Sequence, residues 1–173
     1  MREFASTQSR LIHLSWEVKV VYSAFLLFCL FAYIVIGALV WARTGMASEV
    51  YVNYYVGNEP QEIYGKSQAE LLEVTHFHLF SYPIFLLIQG HIFLLTSWPR
   101  KLKAWIVVLS FVGAALYLAA PWLVVYVSPT WVLAKTLGRL LLVATLGLFL
   151  VVPLHEMWLG KATPRAPTTR KKR

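Results

Sequence analysis

Four runs of apolar residues, near 20–41, 74–95, 104–127 and 140–159, approach the roughly 20 residues that carry an α-helix across about 30 Å of hydrocarbon. No water reaches the bilayer core, so the backbone N–H and C=O groups of each run must bond within that run. The expectation is an all-α fold, an integral membrane four-helix bundle. With 173 residues, 58% of them hydrophobic and 14% charged, the chain has room for one such domain over 20–160. An interfacial N-terminal segment would occupy 1–19, an outer loop 43–72 and a disordered basic tail 161–173. The first run is longer than a signal-peptide core, and Trp41-Ala42-Arg43 lacks the small-residue form of a cleavage site, so that run is expected to stay as an anchor.

Lysine and arginine set the orientation. Arg2, Arg10 and Lys19 precede the first span, Arg100, Lys101 and Lys103 join the second to the third, and Lys161, Arg165, Arg170, Lys171, Lys172 and Arg173 follow the fourth. These are most of the 16 basic residues, and cytoplasmic flanks are where such residues collect, so both termini are expected in the cytoplasm. Their placement beside apolar runs fits the lipid bilayer as partner, with no nucleic acid. Lys135 and Arg139 break the pattern on the outer side. Ser128 can cap a helix there and Pro129 suits its first position, so the fourth span should project outward with both cations on one face. Ser67-Gln-Ala-Glu70 has the form of a capping box, which starts the second helix near Ser67. The two protruding ends would bring Glu62, Glu70 or Glu73 near Lys135 and Arg139. Those cations then either form salt bridges and meet lipid headgroups, or bind an anion such as a haem propionate, a quinone carbonyl or an acidic partner.

The second span carries Glu73, His76, His78 and His91, and a buried ionisable group in a membrane helix is by default a candidate site. At about 100° per residue His76 and His91 lie within about 60° of each other, roughly 22 Å apart along the axis. His78 faces elsewhere, about 200° from His76. Pro83 can kink the helix, and Gly90 thins it just before His91. A bis-histidine haem needs a ligand from another helix. His155, near the inner end of the fourth span, is the match for His91, whereas an outer haem at His76 or His78 would need Met46, a second copy of the chain or an open position. Cys29 is the lone cysteine, without a Cys-x-x-Cys-His motif, so any haem would be a non-covalent haem b. Glu73, His76 and His78 could alternatively ligate copper or zinc, although a regular helix does not bring them together. His13 reads as an interfacial residue. Tyr51, Tyr54, Tyr55 and Tyr64 read as an aromatic belt or a docking surface.

The chain has no phosphate-binding glycine loop, nucleophile elbow, His-Glu-x-x-His motif or aspartate, which argues against hydrolase and nucleotide chemistry. Four spans without an internal repeat make a poor transporter. Glu73-Val-Thr-His76-Phe-His78-Leu-Phe, with Gln89-Gly-His91 and Ser128-Pro129, resembles an uncharacterised family of small four-helix bacterial membrane proteins over 11–158. Some members are labelled elongation factors, a label at odds with the missing GTP-binding loop. The resemblance implies the bacterial inner membrane. More loosely, the chain is similar to the cytochrome b membrane subunits of respiratory complexes, which hold haem on transmembrane histidines. It departs from them in lacking an outer partner histidine.

Two functional expectations follow. In the first, a cytochrome-b-like subunit takes part in electron transfer, His91 and His155 holding an inner haem while His76 or His78, helped by Lys135 and Arg139, forms an outer haem or quinone site. In the second, a non-enzymatic accessory subunit docks a larger respiratory or photosynthetic complex, or a c-type cytochrome, on its outer side, and the histidines are structural. Either form is compatible with a homo-oligomer.

Overall fold

The computed structural model describes residues 11–45 and 47–160. Four helices are long and apolar enough to cross a membrane. They are α1 (Trp16–Thr44), α3 (Gln68–Leu94), α4 (Arg100–Tyr126) and α5 (Val132–Leu159), and a short α2 (Ser48–Val56) lies between the first two. Together they form an all-α membrane bundle. Each spanning helix starts at least four residues before the apolar run that marks it, because flanking polar residues continue the backbone ladder into the interface. The N-terminal residues 1–10 of the expected interfacial segment, Met46 as an expected outer ligand, and the expected basic tail 161–173 lie outside the described residues.

Helix α3 starts where the capping box sits. Ser67 Oγ accepts from the Glu70 N–H at 3.3 Å, and Glu70 Oε2 accepts from the Ser67 N–H at 2.8 Å. Glu70 Oε1 also takes Lys66 at 2.7 Å, which lifts the Lys66 ammonium above its ordinary pKa. Ser128 accepts from the Thr130 N–H and opens a 3₁₀ turn, Pro129–Trp131, that leads directly into α5. The outer loop is folded: after α2 an antiparallel pair, Gly57–Asn58 with Ile63–Tyr64, closes around Glu59–Gln61. Gly45 and Gly57 end α1 and α2 with positive φ, 55° and 97°, a backbone state that glycine adopts without the strain a Cβ would bring.

The tightest packing is between α4 and α5. A Cβ on Gly138 would come within 2.7 Å of the Tyr117 backbone N and 2.8 Å of the Gly113 carbonyl, and one on Gly113 within 2.9 Å of Leu141 Cβ. Lipid tails are as apolar as leucine, so helices in a bilayer associate through such close approaches rather than through apolar burial. Helix α3 lies against this pair through Leu86, Phe93, Ile106, Ala114 and Phe149. Gly90 is part of the same contact: a Cβ there would meet Val107 at 3.5 Å and Phe149 at 3.9 Å.

At the end that carries the basic flanks, the inner end in the orientation expected from them, a 3₁₀ turn, Leu11–His13, folds under the bundle, and the Leu11 N–H donates to the Leu95 carbonyl. Leu11 is buried with Leu26, Cys29, Ile92, Leu150 and Met157. Trp158 donates its indole N–H to Ser23 Oγ at 2.9 Å. The start of α1, the turn between α3 and α4, and the end of α5 therefore share one side of the bundle.

Glycine substitutions test the crossing. Gly138→Ala is expected to destabilise the bundle by about 1–3 kcal/mol through overpacking against backbone that cannot yield. Gly147→Ala, which meets open space, should stay within about 1 kcal/mol of wild type. Thermal unfolding in one detergent compares them; equal midpoints for the two variants would contradict this account of the interface.

Candidate functional site

The histidines divide by face. His76 is exposed beside Phe80, and Glu73 one turn earlier is exposed as well. His91 lies on the exposed side of α3, as the spacing from His76 required, while Gln89, Gly90, Ile92 and Phe93 around it are buried. His155 is exposed on α5, and the inward position next to it belongs to Glu156. The paired ligands of the expected inner haem therefore both sit on the outer surface of the bundle rather than within it. His78 turns the other way, half-buried against the Tyr82 ring at 5.0 Å between centroids. Its Nδ1 is buried without a good hydrogen bond, with the Val74 carbonyl one turn back as a polar neighbour. Among the described residues, no group of three or more His, Cys or acidic side chains is placed to hold a metal. Glu73, His76 and His78 are not assembled as copper or zinc ligands.

Lys135 and Arg139 have a different setting. Lys135 is only 2% exposed, and its ammonium lies 4.0 Å from the centre of the Tyr51 ring. Tyr51 comes from α2, which packs across α4, α1 and α5 and closes the outer end of the bundle with Val124 and Val132 beneath it. Tyr55 joins Tyr51 at 4.7 Å between rings, Tyr117 is near both hydroxyls, and Tyr82 is near Tyr55 and Tyr117. Arg139, one turn along α5, is half-buried beside Tyr117. Tyr51 and Tyr55 thus point inward, away from the membrane-surface belt expected of them. Of Glu62, Glu70 and Glu73, the acids expected near Lys135 and Arg139, Glu70 is held instead by Lys66.

Magnitudes show how unusual the lysine is. Withdrawing an ammonium from water costs several kcal/mol even after relaxation. A cation over a desolvated aromatic face regains about 2 kcal/mol. Burial and the neighbouring phenols push the Tyr51 hydroxyl far above its ordinary pKa, and burial lifts Tyr55 to about 12 against the attraction of Arg43. Both stay protonated and can donate.

The inner half holds polar groups that the pattern of histidines did not reveal. Glu156 Oε2 accepts from the Ser97 N–H at 2.7 Å and from Ser97 Oγ at 2.9 Å. Lys103, also buried, donates to the carbonyls of Leu94 at 2.5 Å and Thr96 at 2.7 Å, placing a cation at the C-terminal end of α3. Gln89 is fully buried and donates to the Tyr33 hydroxyl, tying α3 to α1. An acid within the last apolar run was the available signal for Glu156.

Four spanning helices, an inward-facing outer cap and polar ties at both ends define a multi-pass helical membrane protein. The family model of a transmembrane helical domain, Aq_1264_TM, matches residues 45–164, and the chain belongs to that family. No curated protein and no solved structure matches it significantly.

The phenols predict a pH response. A pKa raised in the folded state contributes stability that is complete below the ordinary phenol value of 10.0 and is lost as pH climbs through about 12. Amide hydrogen exchange in α2, corrected for its intrinsic rise with pH, should lose protection over that range before α4 does, and less so in Tyr55→Phe. Simultaneous loss in both helices would show that α2 is not a separable cap.

Proposed function

We propose that the protein is a non-enzymatic accessory subunit of a larger assembly in the bacterial inner membrane, with the end bearing Leu11–His13 and Leu159 in the cytoplasm. The orientation rests on the basic residues that flank that end. The observation that carries the reading is the outward placement of Glu73, His76 and His155 while the cores of both ends are tied within the chain. Ionisable groups on a lipid-facing helix are costly unless another helix or the interface receives them. Those faces are where a partner's helices would dock.

The same outward placement favours a second reading, electron transfer. Haem b held by His76, His91 or His155 would then lie between this chain and a partner or second copy, with quinone nearby. One purification separates the two readings. Isolated from native membranes in mild detergent, the protein is expected to bring larger subunits with it and to show a featureless dithionite-reduced minus oxidised visible spectrum of its own. Those subunits should be depleted at least several-fold by His76→Leu or His155→Leu. Near-stoichiometric b-type absorbance on the isolated chain, abolished by His91→Ala, would replace the accessory reading with the electron-transfer one.

A further inference from the structure

We propose that Lys135 and Arg139 bind the phosphate-type oxyanion of an anionic lipid headgroup beneath α2 at the outer end of the bundle. This inference stands apart from the accessory and haem readings, and holds under either.

Three observations converge on it. First, Lys135 is only 2% exposed, and its ammonium meets the face of Tyr51 within one helical turn of a second cation, Arg139. An ammonium and a guanidinium offer donors and no acceptor, so an oxyanion complements both at once. Second, hydroxyls that can donate lie around them: those of Tyr51 and Tyr55, whose rings are 4.7 Å apart and which bond to each other, and that of Tyr117 beside Arg139. Third, depth and access suit a lipid. At 1.5 Å per residue Lys135 lies roughly 5 Å, and Arg139 roughly 11 Å, inside the start of α5, the level of headgroup and glycerol.

Access separates a lipid from a soluble anion. Helix α2 covers the aqueous side of Lys135, whereas Arg139 is half-exposed on a helix whose Leu137 and Leu140 face outward. A ligand would therefore approach laterally, from the membrane, meeting Arg139 before Lys135. Basic pockets between transmembrane helices bind acidic lipid headgroups by this arrangement. Gly45 and Gly57 bracket α2 with positive φ, so the cap is joined to the rest by two short, turn-forming links.

The test uses the full chain, purified and stripped of lipid, then returned to micelles of phosphatidylcholine with or without phosphatidylglycerol of the same acyl chains. Thermal unfolding of wild type should rise by roughly 5–10 °C with phosphatidylglycerol. Lys135→Met and Arg139→Gln should lose that rise, and Lys66→Met, outside the site, should keep it. Native mass spectrometry should find phosphatidylglycerol retained on wild type and at least tenfold less on either site variant. If Lys135→Met does not fold, Arg139→Gln alone decides. Inorganic phosphate that reproduces the rise in phosphatidylcholine, and loses it with the same variants, would uphold the cationic site but overturn the lipid as its occupant. Equal melting in the two lipids without a phosphate response, or a rise retained by the site variants, would overturn the proposal.

Discussion

The close crossing of α4 over α5 at Gly113 and Gly138 governs the placement of almost everything polar in the outer half. With no side chain on either helix at that point, backbone meets backbone, and Tyr117 is drawn against Gly138. Lys135 lies three residues before that glycine and Arg139 one after it. Neither cation could therefore leave the region of the crossing without unpacking it. Helix α2 then rests on the ledge that α4 and α5 make together, and Tyr51 reaches the ammonium from above. A contact made of small residues thus becomes the scaffold for a buried lysine.

The two ends of the bundle handle polarity differently. At the inner end, donors and acceptors meet in the turn between α3 and α4: Lys103 satisfies carbonyls left over at the close of α3, while Glu156 takes the Ser97 N–H and hydroxyl. Leftover carbonyls at a helix terminus need partners, and a lysine from the following helix is well placed to supply them. At the outer end, two positive groups and several phenols share a covered space. The inner end ties backbone at a helix turn to one acid and one lysine, whereas the outer end gathers cations and phenols under a single short helix.

Much of the helical framework was legible because its signals are one-dimensional. Apolar length marks a span, Ser67 with Glu70 marks a helix start, and Ser128-Pro129 marks another; all three have counterparts in the fold. The direction each helix faces was far less legible. In water an apolar stripe identifies the buried side, but in lipid the outside is as apolar as the inside, so Phe28, Phe31 and Leu87 point outward in the same chemical dress as Phe93 and Phe149 point inward. The relative angle of His76, His78 and His91 could be derived from helical pitch, yet which of them turned inward could not. Gly113 and Gly138 were the better guide to the interior. The inward turn of Tyr51 depended on a short helix whose own polar character gave no sign of what it covers.

The burial of Leu11 has a consequence for how the protein is made. Its cluster includes Ile92 from α3 and Leu150 and Met157 from α5. Those helices follow it in the chain, so a ribosome releases Leu11 well before they exist. The 3₁₀ turn at Leu11 therefore seats only when α5 arrives, and a chain interrupted before α5 leaves the Leu11 side chain without its receptacle.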